Sequence, residues 1–437
     1  MDFSIKHNNA RVALAISVTF FAIVAMQGSP AHADAETVVH SFNGPTSDGA
    51  LPSAGMIDTG HVLYGTTTQG GTGTTCSSGS GGCGTVFSWS PKSGAEAVLY
   101  SFQGGSTDGA VPYAGMIKVG GILYGTTTQG GTGTLCTNGC GTVFSVNLTT
   151  GVEAVVYSFQ GGTDGAVPYG RLLNVGGKLF GTTTQGGTGT NCSNTTNGCG
   201  TVFYVNPTAG TEVVVYSFQG GIDGAIPYDG LIDVGHILYG TTTQGGTSTN
   251  CTNGCGTVFS VTKKGVESVL YSFSGGDNDG AFPVSGLLRL GDLLYGTTEY
   301  GGSGDCEYNG MTGCGVVYSI TTAGNEIGLY SFQGVVQGDG AYPDAPLVNF
   351  YGTLYGTTSA GGDSECGVIG GCGTVYSITT AGTEQAEWSF EGGISDGVAP
   401  YAPLVKVGHA LYGTTSLGGG PGCDDEGCGT VFKILPH

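Results

Sequence analysis

The chain has 437 residues, 88 of them Gly and 15 Pro, and carries 11 Lys and Arg against 32 Asp and Glu, a net charge of −21. Such a surface repels phosphate backbones and anionic lipid, which argues against nucleic acid and anionic membranes and leaves cations, neutral sugars and basic protein surfaces as partners. With 39% hydrophobic residues there is apolar surface enough for a core, so the glycines point to turns rather than to a disordered polymer.

Residues 1–33 read as a secretory signal peptide. Lys6 and Arg11 give a basic start, Val12–Met26 is the apolar run, and Ala31–Ala33 (AHA) offers small residues for cleavage. The alternative is an uncleaved anchor, but the run is short for a span. Residues 34–437 are expected to form a single domain. It opens with ETVVHSF (Glu36–Phe42) and then writes one phrase, YGTT or FGTT, seven times. The copies begin at Tyr64, Tyr124, Phe180, Tyr239, Tyr295, Tyr355 and Tyr412, 56–60 residues apart.

Each unit holds four strand-length apolar stretches bounded by Gly, Pro or Asn. In the third copy they are Arg171–Val175, Lys178–Thr184, Gly200–Asn206 and Thr211–Phe218. No window carries a helical period of useful length. Four strands repeated seven times predict an all-β, seven-bladed β-propeller. The chain opens on the fourth strand type and closes on the third, GTVFKI (Gly429–Ile434). The N-terminal strand is therefore expected to complete the last blade and remove its free edge.

The units SFQGGTDGAVPYGRLL and LFGTTTQGG…GCGTVF resemble the GloVer tandem repeat of bacterial exported, choice-of-anchor proteins over residues 36–434. The resemblance implies an exported bacterial protein and no established activity. Such proteins often carry a separate surface anchor. This chain stops at Pro436–His437 without one, so release from the cell or periplasmic residence is expected.

In such a blade the first-to-second and third-to-fourth turns share one face, and here they are short. The second-to-third loop and the crossing to the next blade share the other face, and both are long. Any ligand site is expected on that elaborated face near the central axis. All 14 cysteines fall in the long loops as local pairs: Cys76/Cys83, Cys136/Cys140, Cys192/Cys199, Cys251/Cys255, Cys306/Cys314, Cys366/Cys372 and Cys423/Cys428. In an exported chain this is a disulfide framework, expected to hold the long loops in shape. Zinc is the rival, but each blade has two Cys and no His lies in those loops.

Seven Asp-Gly pairs precede a proline, at Asp48, Asp108, Asp164, Asp223, Asp279, Asp339 and Asp396. One reading is a ring of axial carboxylates that binds a ligand or Ca²⁺; the other is Asp accepting backbone N–H groups in a turn. The residue after the proline is Tyr113, Tyr169, Tyr228 or Tyr401, but Ser53, Val284 and Asp344 elsewhere. These tyrosines either stack on sugar rings or pack between blades. Arg171 is the one basic residue at its repeat position and is a candidate anion contact. Asp108, Asp164, Asp223, Tyr113, Tyr169, Tyr228 and Arg171 are thus the ligand-binding candidates.

Departures from symmetry are the best guide to a specific site. The last three copies replace TTTQGG with TTEYGG (Thr297–Gly302), TTSAGG and TTSLGG, and their cysteine loops gain Asp305, Glu307, Asp363, Glu365, Asp424, Asp425 and Glu426. This acidic sector either coordinates Ca²⁺, attracts a basic partner, or is a solvated rim. On the innermost strands, Asp58 beside Lys118, Asp233 beside Arg289, and Lys406 beside Asp58 are expected to pair between blades.

No catalytic constellation is legible. His61, His236 and His409 fall in separate blades, and His40 stands where other blades have Tyr or Trp388. The leading expectation is a non-enzymatic binding or scaffold module for extracellular glycan or protein, Ca²⁺ being the only cofactor considered. It is expected to be monomeric, secreted or periplasmic, with no membrane insertion after signal cleavage. The alternatives are a carbohydrate-active hydrolase or lyase, using axial carboxylates such as Asp164 and Asp223 with Arg171, and a purely structural surface protein.

Overall fold

A computed structural model describes residues 36–436, apart from positions 46–47, 78–80, 194–197, 278, 309, 336–337, 363–365, 367–369 and 424–425. The expected signal peptide and the acids Asp363, Glu365, Asp424 and Asp425 lie outside the described residues.

Seven four-stranded antiparallel sheets follow one another along the chain as the blades of a β-propeller. Blade 3 runs from its inner strand Leu173–Val175 through Lys178–Thr183 and Thr201–Asn206 to the outer strand Thr211–Ser217. Blade 7 takes Val405–Val407, Ala410–Thr415 and Thr430–Ile434 from the end of the chain and Thr37–Ser41 from its start. Thr37 pairs with Lys433 and Ser41 with Thr430, so the ring closes by backbone ladder and leaves no unpaired edge there. In every blade the outer strand carries a bulge, between Val202 and Phe203 of the partner strand in blade 3, which increases local twist.

The repeated phrase FGTTTQGG…CGTVF has a physical role for nearly every letter. Gly181 has no side chain because a Cβ there would lie 2.7 Å from Cζ of Phe203 on the next strand. That ring is fully buried and meets Phe159 of blade 2 edge-on, with centroids 4.9 Å apart. The same pair recurs at all seven seams, from Phe42–Phe87 at the closure to Phe390–Phe432. The first Thr, Thr182, donates to the Asp229 carbonyl of blade 4 at 2.9 Å. Thr183 bonds the Gln185 carbonyl and the Thr201 hydroxyl, both at 2.8 Å. Thr184 donates to the Val167 carbonyl at 3.0 Å. The three buried threonine hydroxyls of blade 3 therefore hold their own strands and the neighbouring blade.

Val167 sits in left-handed backbone, φ 57°, a conformation that costs a β-branched residue roughly 1–3 kcal/mol. It is held there from both sides: its N–H donates to the Cys140 carbonyl of blade 2, and its carbonyl receives the Thr184 backbone and hydroxyl. All seven blades repeat the left-handed residue and its two backbone bonds, from Leu51 to Ala399, with φ between 55° and 59°.

The seven cysteine pairs are all bridged as expected, and no described cysteine is free. All lie in the long loops between the second and third strands, as expected. The second cysteines, Cys83, Cys140, Cys199, Cys255, Cys314, Cys372 and Cys428, are all 0% exposed, and Cys192 and Cys251 are also buried, so these loop residues extend the seam cores. Each joins the core cluster of its seam phenylalanine: Cys83 with Phe102, Cys255 with Phe273, Cys314 with Phe332, Cys372 with Phe390 and Cys428 with Phe42. The cause is a backbone bond. The carbonyls of Cys83, Cys255, Cys314, Cys372 and Cys428 accept the N–H groups of Val111, Phe282, Tyr342, Ala399 and Leu51, the left-handed residues of the following crossings, as Cys140 does for Val167. That bond holds the second cysteine against the next blade, so the bridge anchors each loop to the core as well as closing it. Half-cystines bury well because sulfur is apolar and soft.

Seven such bridges require an oxidising compartment. Among the described residues no helix is long and apolar enough to cross a membrane. The expected ring of inner-strand ion pairs is not there. Asp58 and Asp233 turn back to accept the His61 and His236 backbone N–H groups that follow, and Arg289 Nε donates to the Gly291 carbonyl. Lys406 lies over the Tyr351 ring, 3.4 Å from its centroid. Asp233 is ion-paired instead within its own blade, to Lys263 at 2.8 Å. Short side chains at a tight turn find the local backbone before they can reach a neighbouring blade.

Candidate functional site

The left-handed residue, the proline after it and the residue after that lead each inner strand toward the axis. There the seven chain segments enclose a cavity of about 1080 Å³. Its wall includes all seven residues that follow the proline in sequence: Ser53, Tyr113, Tyr169, Tyr228, Val284, Asp344 and Tyr401. Leu51, Ile226 and Phe282, three of the strained residues, line it as well. Below this ring the blades close on one another through small residues. A Cβ on Gly115 would lie 2.8 Å from the Gly55 carbonyl oxygen, and one on Gly230 would clash with the Arg171 carbonyl.

The cavity has two chemically distinct arcs. On one side Tyr113, Tyr169 and Tyr228 form a row, with centroids 5.0 and 4.6 Å apart and the second pair stacked at 19°. Tyr113 and Tyr228 keep 38% and 37% exposure, so the row is an aromatic wall open to the cavity. Burial, and then Tyr113, pushes the Tyr169 hydroxyl up to about 12, so it is a neutral donor and acceptor. On the other side stand Glu299 of blade 5 and Asp344, which leads into blade 6. Burial raises the carboxyl of Glu299 above its ordinary range. Burial raises Asp344 further, and the Glu299 charge adds to it. Asp344 Oδ1 is sealed from solvent without a hydrogen-bond partner. Two buried carboxyls whose charges oppose each other resist ionising together. The Tyr228 hydroxyl is raised by burial first, then by Tyr169, Tyr113, Asp344 and Glu299, so both arcs act on it.

The ligand candidates read from sequence divide between two places. Tyr113, Tyr169, Tyr228 and Arg171 meet at the cavity wall. Asp108, Asp164 and Asp223 are not on that wall; they sit at the blade seams. Asp108 is 5% exposed, accepts the Gln103 and Gly109 N–H groups at 2.6 Å each, and receives the Tyr100 hydroxyl at 2.8 Å. Tyr157 donates likewise to Asp164, and Tyr216 to Asp223, both at 2.6 Å. Of the Ca²⁺ candidates that are described, Asp305, Glu307 and Glu426 are exposed in the cysteine loops.

Two groups were not picked out from sequence. Glu299 stands where other blades have Thr or Ser donating to the left-handed residue's carbonyl, and Asp344 stands in the tyrosine column. Both are visible as breaks in otherwise regular columns. The second group is the Glu at the head of every outer strand, Glu36, Glu96, Glu153, Glu212, Glu267, Glu326 and Glu384, each beside the Asp of the preceding seam. Its signal is its sevenfold recurrence.

Among solved structures, an oligogalacturonate lyase in complex with manganese is similar in fold, at 13% identity and TM-score 0.51, covering 92% of this chain and 93% of that one. A chain of a mitotic checkpoint complex gives 10% identity and TM-score 0.53 over 100% and 99% of the two chains. The extracellular domain of a putative hybrid two-component system from B. thetaiotaomicron gives 10% identity and TM-score 0.53, covering 91% of this chain and 40% of that one. These likenesses concern the fold alone. Curated proteins yield no match. The Gloeobacter/Verrucomicrobia repeat matches residues 29–191, 72–307 and 304–437, and the chain belongs to that family.

Proposed function

We propose that the protein is an exported binding module that holds an extracellular glycan in its axial cavity. The observation that carries this reading is the open row Tyr113–Tyr169–Tyr228 facing the carboxyls of Glu299 and Asp344. Sugar rings present flat C–H faces to aromatic walls and hydroxyls to carboxyl groups, and a cavity of about 1080 Å³ takes more than one ring. A net charge of −21 disfavours polyanionic chains and favours neutral or amino sugars. Export is supported by seven disulfides and by the leader-like sequence at residues 1–33.

The test is a glycan array followed by calorimetry on the best ligand, with and without chelator to score Ca²⁺ assistance. Tyr169→Ala should weaken binding at least tenfold. Binding of a protein but of no glycan, or equal glycan affinity in Tyr169→Ala, defeats the proposal.

A second reading is favoured by one observation. Two carboxyls, Glu299 and Asp344, line one arc of the cavity, and a pair of carboxyls is the acid and base that glycosidic bond cleavage needs. Glu299 and Asp344 replace the Asp164 and Asp223 of the sequence expectation in that role. Release of reducing sugar from the bound glycan, lost in both Glu299→Gln and Asp344→Asn, would establish catalysis; binding without release rules it out.

A further inference from the structure

Six of the seven seams are built alike. A Tyr or Trp near the end of one outer strand stands by the Asp of the next crossing and the Glu that heads the next outer strand. At five of them a tyrosine hydroxyl donates to the Asp, as Tyr100 does to Asp108 and Tyr330 to Asp339 at 2.8 Å. The seam between blades 7 and 1 is different: His40 takes the tyrosine's place, beside Asp48 and Glu96.

We propose that His40, Asp48 and Glu96 form a site for a divalent first-row transition metal that clips the N-terminal strand to blade 1. One nitrogen and one oxygen from each carboxylate all lie within 4.8 Å of one another, and among the described residues no other group of His, Cys, Asp or Glu converges in this way. His40 Nε2 and Glu96 Oε1 are sealed from solvent, and neither has a hydrogen-bond partner. The Glu Oε1 is likewise unpartnered at Glu36, Glu153, Glu212, Glu267 and Glu384. What sets this seam apart from the tyrosine seams is that the imidazole does not donate to the Asp as the phenol does, which leaves a buried Nε2 beside two carboxylates, an arrangement that a cation would satisfy. Metal–nitrogen and metal–oxygen bonds of about 2.0–2.2 Å would draw these atoms together by a small movement.

The surroundings suit a ligand set. Asp48 is 7% exposed and fixed by the N–H groups of Asn43 at 2.8 Å and Gly49 at 2.6 Å, as outer-shell bonds orient metal-binding carboxylates. One imidazole and two carboxylates match zinc or manganese better than a soft-ligand site. The ion would join the N-terminal strand Thr37–Ser41 to Glu96–Ser101, the outer strand of blade 1, across the seam next to the ring closure.

Zinc and manganese are the probes. The full chain, stripped with chelator, is titrated calorimetrically with each, and its cobalt complex is examined for visible absorption. His40→Tyr restores the residue of the other seams and should fold normally. The expected result is one ion per chain, a melting temperature that rises with metal, and an affinity at least a hundredfold weaker in His40→Tyr, whose metal-free melting temperature equals or exceeds that of the parent. No binding of either metal, or undiminished binding in His40→Tyr, overturns the site.

Discussion

At the seams Phe87, Phe144, Phe203, Phe259, Tyr318, Tyr376 and Phe432 each meet a phenylalanine of the preceding blade edge-on, at centroid distances of 4.9–5.1 Å. Around the axis the seven equivalent positions instead hold Ser, Tyr, Tyr, Tyr, Val, Asp and Tyr. The same repeat thus builds both regions under opposite constraints. A seam must fit its neighbour in every blade, and any change is felt as a cavity or a clash. The axial ring touches mostly the open cavity, so its residues are free to differ, and difference is what recognition requires.

That contrast can be broken first at a seam. Phe203→Ala, which empties a fully buried site against Phe159 and Gly181, should cost about 3–5 kcal/mol in denaturant unfolding. Tyr169→Ala at the axis should cost far less while removing glycan affinity. Equal losses of stability in the two would erase the distinction. Next, Cys192→Ser with Cys199→Ser opens one loop clip and should cost about 2 kcal/mol, with the array ligand still bound. Thr182→Val removes a single bond between blades and should cost about 1 kcal/mol.

The seam acids give a pH test. Burial first, then the neighbouring Asp, holds Glu36, Glu212, Glu267 and Glu384 at about 8 and Glu96, Glu153 and Glu326 at about 7. In the unfolded chain such groups ionise near about 4.3. Between these values the folded state binds more protons, so their stabilising effect is complete at low pH and is lost as pH rises toward 8. The melting temperature should be highest near pH 5 and fall toward pH 8. Glu212→Gln should reduce that slope and raise stability at pH 8. A flat profile would mean that these carboxyls ionise normally.

The propeller was legible because its signals are local and repeated. The strand limits in blade 3 agree with the expected ones to within two residues, since β-branched runs between Gly and Pro turns leave little choice. The partners of each disulfide were legible for the same reason. The burial of Cys83, Cys255, Cys314, Cys372 and Cys428 was not, because it depends on a backbone bond to the next blade. The inner-strand ion pairs failed in a similar way: spacing along the chain could not say that Asp58 and Asp233 would satisfy the turn beside them. Nor could it say that the Asp of each Asp-Gly turn faces the seam, because the left-handed residue after it redirects the chain before the axis is reached. Asymmetry marked the TTEYGG segment that holds Glu299 and the break at Asp344, yet the candidates came from the cysteine loops, because spacing along the chain does not show that Glu299 and Asp344 line one cavity.

The most direct measurement is glycan binding by a chain whose axial ring has been made regular. Glu299→Thr with Asp344→Tyr gives blades 5 and 6 the residues of blades 2 to 4, and the new Thr hydroxyl can donate to the Phe282 carbonyl as Thr184 does to Val167. The expected result is a melting temperature equal to or above that of the parent, with affinity for the array ligand reduced at least tenfold. Unchanged affinity in that folded, regularised ring would contradict a site made by departures from sevenfold symmetry.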